Sequence, residues 1–361
     1  MEKQISDNNV EGSRSGSWYS RGKLLVTGEY LVLKGSKALA LPAKLGQKLE
    51  FHQRKIKKGD SSGDSSQAAS PRTSVREDTT GRTDDRILTW RTLVKGDKWF
   101  EAVFRGPEYA IESASHNGRA GFLRHIMVNA IELSDSSPVY GEVTSRVEFD
   151  LEWGLGSSSS LISNVAYIFD INPFALHFAV SKGSGYDIAC ARSDKPLVYH
   201  LEYQTESYRS KRVAADHSGS FPVPVYETVN FNPPFSENLF FAYTGKKQDS
   251  AVSVNRFLAA KKPDERDIER VSDITSEILR TNDIDSFTRM LKEHDNILSN
   301  LLGETALNNG MFSGFPGYVK SLGAWGGDFV LIAWKDGVDM LRPLLKQKGI
   351  DVVFPYKKLA L

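Results

Sequence analysis

Alternating apolar and polar residues predict β-strands in the first half of the chain. The segment 22–33, which contains K-L-L-V-T-G-E-Y-L-V-L, is strand-like with a Gly-Glu break in its middle. Further strands are predicted at A-L-A-L-P, at K-L-E-F, at R-I-L-T-W paired with W-F-E-A-V-F, at V-T-S-R-V-E-F-D-L, and near the end at D-F-V-L-I-A-W and D-V-V-F.

Helical spacing of apolar residues appears between these strands and dominates the second half. Residues 121–133 and 157–169 have this spacing, and the second of these helices is expected to end at D-I-N-P. From Asp249 onward three more helical segments follow before the last strands. Strands and helices mix in both halves, so we predict an α/β (α+β) fold.

Polar stretches suggest where the chain divides. Residues 1–17 are predicted to be a disordered leader, and 58–85 contains almost nothing to bury. That segment is either a mobile surface insertion or, alternatively, a lid or docking segment. A shift toward Pro and Ser near 205–235 places the limit between an N-terminal domain at 18–225 and a C-terminal domain at 226–361.

Composition narrows the class of protein. With 361 residues, 40% hydrophobic and 25% charged, the chain is long enough for two globular domains. A net charge of +1 gives no sign of a nucleic-acid partner, and we expect none. The single cysteine, Cys190, suits a reducing compartment and excludes an intramolecular disulfide. No long apolar stretch or signal-peptide pattern occurs, so we expect a cytoplasmic protein that is not membrane-bound, either monomer or homodimer.

The stretch W-G-L-G-S-S-S-S-L-I at 153–162 places glycines and serines directly before a helix. Glycines let backbone approach a ligand, and a helix start presents free N–H groups, so the combination suits a phosphate. The alternative is an N-capped helix after a flexible turn. The loop lacks the G-K-[ST] ending of a Walker motif and the third glycine of the dinucleotide fingerprint.

Three other stretches place glycines beside element ends: R-G-K-L-L-V-T-G-E-Y, K-G-S-G-Y-D-I-A-C-A and S-L-G-A-W-G-G-D-F-V. Two of them carry one charged residue in a small or apolar setting, Lys23 and Asp187. Asp187 is either a helix N-cap or a catalytic carboxylate, and Lys23 is either a surface lysine or its partner.

Together these four stretches resemble, in order, the motifs of the GHMP kinases. Residues 22–30 are similar to the first family motif, 154–159 to G-L-G-S-S-[AS], 183–187 to the aspartate-bearing segment, and 323–327 to the third glycine turn. The resemblance implies a ribosomal-protein-like N-terminal domain and a ferredoxin-like C-terminal domain with ATP between them. Motif details, Asp328 and the segment F-A-Y-T-G-K-K-Q-D-S resemble the mevalonate kinase and phosphomevalonate kinase group.

The resemblance implies an ATP-dependent kinase, with Mg²⁺, acting on mevalonate, phosphomevalonate or a similar small molecule. Asp187 and Lys23 would be catalytic, and Ser158 would bind Mg²⁺. The phosphates would lie on the loop formed by Gly154, Leu155, Gly156, Ser157, Ser158, Ser159 and Ser160. The acceptor side would be formed by Glu29, Tyr30, Gly185, Gly323, Ala324, Gly326 and Gly327.

Some positions depart from the family pattern. Arg21 stands where the family usually has proline. Trp153 precedes the loop where proline and small residues are usual, and Trp325 interrupts the third glycine turn. The acidic Mg²⁺ ligand that many mevalonate kinases carry about eleven residues before the aspartate is missing, because that region is P-F-A-L-H-F-A-V. We expect its His177 to be structural. A mevalonate-diphosphate decarboxylase and a non-catalytic nucleotide-binding protein are therefore kept as alternatives.

Overall fold

The computed structural model describes most of the chain. The described residues are 15–54, 86–134, 137–204, 221–248, 250–259, 263–323 and 325–361. The insertion predicted at 58–85 lies outside them, as do residues 1–14 of the predicted leader and Ala324. The first strand begins at Gly16, which pairs with Phe51, so the end of the predicted leader is part of a sheet.

A mixed sheet of eight strands forms the first half of the protein. Its strands are β1 Gly16–Leu25, β2 Ala38–Gln53, β3 Ile87–Val94, β4 Asp97–Arg105, β5 Ala110–Ala114, β6 Gly141–Val147, β7 Leu197–Gln204 and β8 Phe221–Thr228. The order is β5-β4-β3-β6-β2-β7-β8, with β1 on the other edge of β2. Only β3 and β6 pair in parallel among the strands that the structure describes.

The strand predicted through residues 31–33 is wrong. Leu31–Lys34 is a short 3-10 helix, because the backbone turns at Gly28 with φ +86° and at Tyr30 with φ +60°. All three of Leu31, Val32 and Leu33 are buried, so no face of this segment alternates with solvent. Apolar periodicity alone could not separate a buried turn from a buried strand.

Four helices cover one face of this sheet: α1 Asn117–Leu133, α2 Ser157–Phe169, α3 Pro173–Val180 and α4 Tyr186–Ala191. Trp90 and Phe104 of the sheet pack with Ile126, Val165 and Leu176 of the helices in one apolar cluster. Helix α2 has the predicted bounds and ends at Asp170, which adopts a left-handed conformation with φ +52°. This packing fixes the start of α2, and therefore the glycine–serine loop, on the sheet.

The second half contains an antiparallel sheet of β9 Leu239–Tyr243, β10 Tyr318–Leu322, β11 Phe329–Ala333 and β12 Val353–Pro355 in the order β10-β11-β9-β12. Its helices are α5 Ser250–Ala259, α6 Glu265–Ile278, α7 Ile284–Leu302, α8 Val338–Lys346 and the short α9 Tyr356–Leu359. Helices intervene between β9 and β10 and between β11 and β12, which is the split β-α-β arrangement of a ferredoxin-like fold. The predicted fold class is confirmed.

The two sheets share a core. Leu24 and Leu41 of the first sheet belong to the same apolar cluster as Phe241 and Phe329 of the second. Strand β8 spans residues 225 and 226, so the domain limits at 18–225 and 226–361 stay predictions. None of the described helices is long and apolar enough to cross a membrane.

Candidate active site

The glycine–serine loop leaves its helix start open. Gly154 and Gly156 have φ of +63° and +90°, conformations that favour glycine. Gly156 is the N-cap of α2, and no side chain caps this helix. The first intrahelical bond runs from the Ser160 N–H to the Gly156 carbonyl oxygen over 2.9 Å. The alternative of an N-capped helix after a flexible turn therefore lacks the side-chain cap that it would require, and the N–H groups of the first turn have no intrahelical partners.

The four serines of this loop divide into two pairs. The Ser159 hydroxyl donates to the Gly156 carbonyl oxygen, and the Ser160 hydroxyl donates to Gln47 Oε1 over 2.7 Å. Ser157 is half-buried and Ser158 is exposed. Neither of their hydroxyls has a partner in the described part of the chain. Ser157 and Ser158 are the two serines available to a ligand.

Lys23 is held beside this loop by its own backbone. Its N–H donates to the Leu155 carbonyl oxygen over 2.9 Å, and its stem packs so closely on Gly156 that an added Cβ would lie 2.9 Å from Lys23 Cγ. Burial lowers the pKa of Lys23, and attraction to Asp187 and Asp328 opposes this. Lys23 is thus half-buried beside the loop and near two carboxylates, which does not fit the alternative of an ordinary surface lysine.

Asp187 lies in the first turn of α4. Gly185, with φ +84°, is the N-cap, so the N-cap alternative for Asp187 is wrong. The carboxylate accepts from the Ile188 N–H over 3.0 Å. The Tyr199 hydroxyl donates to the Ser184 carbonyl oxygen and fixes the preceding turn. Lys23 and Asp187 lie within electrostatic reach of each other, as their predicted roles require.

The third glycine turn also lies beside Lys23. An added Cβ on Gly323 would lie 3.5 Å from Lys23 Nζ and 3.9 Å from the Tyr186 hydroxyl oxygen. The Lys23 ammonium is also 5.7 Å from the centre of the Tyr186 ring. Burial raises the pKa of Tyr186 well above its usual value, so this hydroxyl stays protonated. Sequence analysis did not single out Tyr186, although it precedes Asp187 directly.

Trp325 anchors the third turn instead of disrupting it. The indole is buried in a cluster with Tyr30 and Phe257. The Trp325 N–H donates to the Tyr30 hydroxyl oxygen over 2.8 Å. Gly326 has φ +80°, and the Gly327 carbonyl oxygen accepts from the Thr244 hydroxyl over 2.7 Å. A bulky residue is accommodated here because its side chain points into the core.

Glu29 and Tyr30 are engaged by protein groups. Glu29 is 2% exposed, and its Oε1 lies 2.5 Å from Lys320 Nζ. Its Oε2 is 3.2 Å from His294 Nε2. Tyr30 is 8% exposed and contacts Trp325 and Phe257. Their assignment to an acceptor pocket, like that of Gly185, stays a prediction, and their observed contacts join the first motif to the second sheet.

Asp328 is brought to the glycine–serine loop from the second sheet. Its Oδ1 accepts from the Gln248 N–H over 2.6 Å. The carboxylate lies against Gly154, where an added Cβ would be 2.6 Å from Asp328 Cγ. Burial raises the pKa of Asp328, while the Gln248 N–H and Lys23 oppose this. In the sequence only the place of Asp328 after the third glycine turn marked it.

Trp153, which departs from the family pattern just before the glycine–serine loop, has a packing role. Its ring packs edge-on against Phe329 and Phe354, with ring centres 5.8 and 5.4 Å apart, and so fastens the loop to the second sheet. A groove of about 390 Å³ adjoins it, lined by Val94, Trp99, Asp150, Leu151, Glu152, Trp153 and Tyr243. Of its aromatic residues, Trp153 directly precedes the glycine–serine loop in the chain.

His177 occupies the helix where an acidic metal ligand is missing. It is 3% exposed, and its Nε2 lies 3.2 Å from the Gly183 carbonyl oxygen. This buried contact supports the turn that carries Asp187. The expected structural role of His177 agrees with this placement.

Replacing Gly154 with alanine is expected to destabilise the protein more than replacing Gly303. Both glycines have nearly the same φ, +63° and +66°, so both variants carry a strain of about 1–2 kcal/mol. Only at Gly154 does the new Cβ also collide with Asp328, which adds about 1–3 kcal/mol of overpacking. Chemical denaturation of both variants measures the difference. Equal losses would show that Asp328 does not touch the loop.

Comparison with known proteins identifies the fold. No protein-family model and no curated protein matches the sequence. Streptococcus pneumoniae phosphomevalonate kinase, in complex with phosphomevalonate and AMPPNP, matches with TM-score 0.61 and 15% identity over 94% of this chain and 99% of that one. Methanococcus jannaschii mevalonate kinase matches with TM-score 0.58 and 14% identity over 96% and 98% of the two chains.

Lactococcus lactis galactokinase, in complex with galactose, matches with TM-score 0.58 and 12% identity over 96% of this chain and 93% of that one. These proteins are GHMP kinases with different acceptors, and the matches run over nearly the whole chain. The chain therefore has the GHMP kinase fold, as its four motifs predicted. A shared fold does not by itself assign a reaction or a substrate.

Proposed function

We propose that the protein is an ATP-dependent kinase that transfers the γ-phosphoryl group to a small molecule, with mevalonate or phosphomevalonate as the acceptor. One observation carries the proposal: the glycine–serine loop, Asp187 and the third glycine turn all lie around Lys23, and the site that they share is called the cleft. The matched structures include enzymes named for these two acceptors, one of them holding an ATP analogue.

The loop supplies the nucleotide site. The uncapped N–H groups at the start of α2 and the positive end of its dipole bind the β- and γ-phosphates. The Ser157 hydroxyl is a further donor beside them. The aromatic groove next to Trp153 has the lining and position to receive the base. A nucleoside triphosphate would thus span from the groove to Lys23.

Phosphoryl transfer requires positioning and charge stabilisation above all. The acceptor oxygen attacks the γ-phosphorus while the bond to the β-phosphate bridging oxygen breaks, so ADP leaves with that electron pair. This oxygen is a hydroxyl oxygen in mevalonate and a phosphate oxygen in phosphomevalonate. With a hydroxyl acceptor, the Asp187 carboxylate orients the hydroxyl and takes its proton. The Lys23 ammonium, beside both, offsets the charge that develops on the γ-phosphate oxygens.

The donor set of the cleft suits Mg²⁺. Ser158 offers an exposed hydroxyl, and Asp328 offers a carboxylate against the loop. Proteins typically give Mg²⁺ only a few such oxygen ligands, and phosphates and waters complete its octahedral coordination shell. When bound, Mg²⁺ would neutralise phosphate charge. Ser158 would hold it on the helix side of the loop.

Ser158→Ala is expected to lower kcat/KM for ATP about 10- to 100-fold, because a contact to a charged group contributes about 1.5–3 kcal/mol. Its stability should hardly change, since the Ser158 side chain is exposed. Ser286→Ala, in the first turn of α7 and outside the cleft, is the matched control and should leave kcat/KM unchanged. Wild-type kinetics in Ser158→Ala would contradict the assignment.

The function is tested by ADP release from Mg-ATP with mevalonate, phosphomevalonate, diphosphomevalonate, homoserine and galactose as acceptors. Acceptor-dependent ADP with one of the first two, without CO₂, is the expected result. CO₂ released with phosphate from diphosphomevalonate would establish the decarboxylase instead. ATP binding without turnover on any acceptor would favour the non-catalytic alternative.

A further inference from the structure

We infer that Asp328 supplies the carboxylate ligand of the nucleotide-bound Mg²⁺, reaching the cleft from the second sheet. This rests on the proposed function, since it places the metal on ATP phosphates at the glycine–serine loop. It answers a specific gap: α3, with the sequence P-F-A-L-H-F-A-V, has no carboxylate, and its His177 is turned toward Gly183.

The described residues contain no cluster of three or more His, Cys, Asp or Glu able to hold a metal ion alone. A metal that sits on a nucleotide does not need one. Mg²⁺ keeps several waters and commonly uses one or two protein carboxylates together with substrate phosphates. One well-placed carboxylate at the phosphate loop is therefore sufficient.

Asp328 is held rigidly for this purpose. The Thr244 N–H donates to its backbone carbonyl oxygen over 2.9 Å, and the Gln248 N–H donates to its Oδ1 over 2.6 Å. The residue is 8% exposed. Its Oδ2 has no hydrogen-bond donor in the described part of the chain and lies against Gly154. A carboxylate oxygen that no protein donor occupies is available to a cation, and oxygen ligands of this kind are the ones that Mg²⁺ prefers.

The charges around the loop also favour a bound cation. Asp187 and Asp328 both act on Lys23, so two carboxylates share one ammonium before any phosphate arrives. Lys247, the other lysine near Asp328, is ion-paired with Glu152 at 3.4 Å. Phosphates placed on the loop would be repelled by the Asp328 carboxylate. A divalent cation between them turns this repulsion into coordination.

The position of Gly154 follows from the same arrangement. Any side chain there would occupy the space taken by the Asp328 carboxylate. Glycine brings that carboxylate into the mouth of the anion-binding loop, while Ser158 presents its hydroxyl four residues later. The metal would thus be held between the first turn of α2, which carries Ser158, and the residue before β11, Asp328.

The test measures ATP affinity by calorimetry with Mg²⁺ and with EDTA. In the wild type, Mg²⁺ should tighten ATP binding. In Asp328→Asn this gain should fall about tenfold or more, as losses of metal-site groups do, while affinity in EDTA stays the same or rises. Asp336→Asn, an exposed residue at the far end of β11, is the control and should match the wild type.

The inference would be overturned if Mg²⁺ tightened ATP binding equally in Asp328→Asn and in the wild type. This includes the case in which the variant binds ATP more weakly by the same factor with Mg²⁺ and with EDTA, because such a result indicates that Asp328 only positions the loop. If the wild type bound no ATP in either condition, the proposed function itself would fail. If Asp328→Asn does not fold, the inference is tested on the wild type instead. Its aspartates are labelled with ¹³C at the side-chain carboxyl, and pulsed EPR of bound Mn²⁺-ATP measures whether a labelled carboxylate coordinates the metal. A directly bound ¹³C carboxylate is expected, and its absence would overturn the inference.

Discussion

Replacing Lys320 with methionine is expected to lower the free energy of unfolding by about 3–5 kcal/mol, the cost of leaving buried charges without a partner. The Lys320 side chain is 0% exposed and its Nζ lies 2.5 Å from Glu29 Oε1 and 3.1 Å from Asp295 Oδ1. Burial opposes the charge of Lys320, but Asp295 and Glu29 outweigh it and raise its pKa. Denaturation in urea measures the loss.

Two further variants show that the loss comes from buried charge. Lys335→Met removes an exposed partner of Asp285, with side chains 58% and 71% exposed, and should cost about 0–1 kcal/mol. Neutralising the carboxylates as well, in Lys320→Met with Glu29→Gln and Asp295→Asn, should recover part of the loss. A Lys320→Met variant as stable as Lys335→Met would contradict the ion-pair network described for Glu29.

This network joins parts of the chain that are distant in sequence. The Tyr318 hydroxyl donates to Asp295 Oδ2 over 2.7 Å, and the Gly28 N–H donates to His294 Nε2 over 2.9 Å. His294 and Lys320 thereby hold the turn at Gly28 and Glu29 that follows Lys23. Tyr318 and Lys320 of this network belong to β10, and the third glycine turn follows β10 directly. Its stability therefore bears on the geometry of the cleft.

Replacing Asp187 with asparagine is expected to lower kcat of the acceptor-dependent ADP release by about 10²–10⁴-fold, the usual contribution of a positioned general base. Asparagine keeps the size and the hydrogen bond to the Ile188 N–H but cannot take the proton. ATP affinity should change only a few-fold, because the phosphate donors lie on α2. Steady-state kinetics and calorimetry measure the two quantities.

Asp194→Asn is the matched control for this variant. Asp194 is an exposed carboxylate paired with Arg21 at 2.6 Å, and its replacement should leave kcat unchanged. Turnover of Asp187→Asn within a few-fold of wild type would refute the assignment of the base. A loss of ATP affinity equal to the loss of kcat would instead show that Asp187 serves nucleotide binding.

Much of the site was determined by local sequence. Neighbours within a few residues determine the bounds of α2 and the glycines with positive φ. The four motifs can be read directly from the sequence. Local periodicity and turn chemistry are sufficient to specify them. The fold class followed from the same patterns together with the motif resemblance.

Other features were decided by contacts between residues far apart in the chain. Trp325 interrupts a glycine run in the sequence, yet its indole lies in one apolar cluster with Tyr30, and its backbone N–H donates to the hydroxyl oxygen of Tyr30, 295 positions away. Glu29 was expected at the acceptor, and its observed partner is Lys320. Asp328 lies against Gly154 where the neighbouring Trp153 packs on Phe329 of the second sheet. The sequence by itself determined which groups the chain carries and their local conformation, whereas the tertiary structure decided their partners, because burial and charge pairing depend on packing between the two sheets.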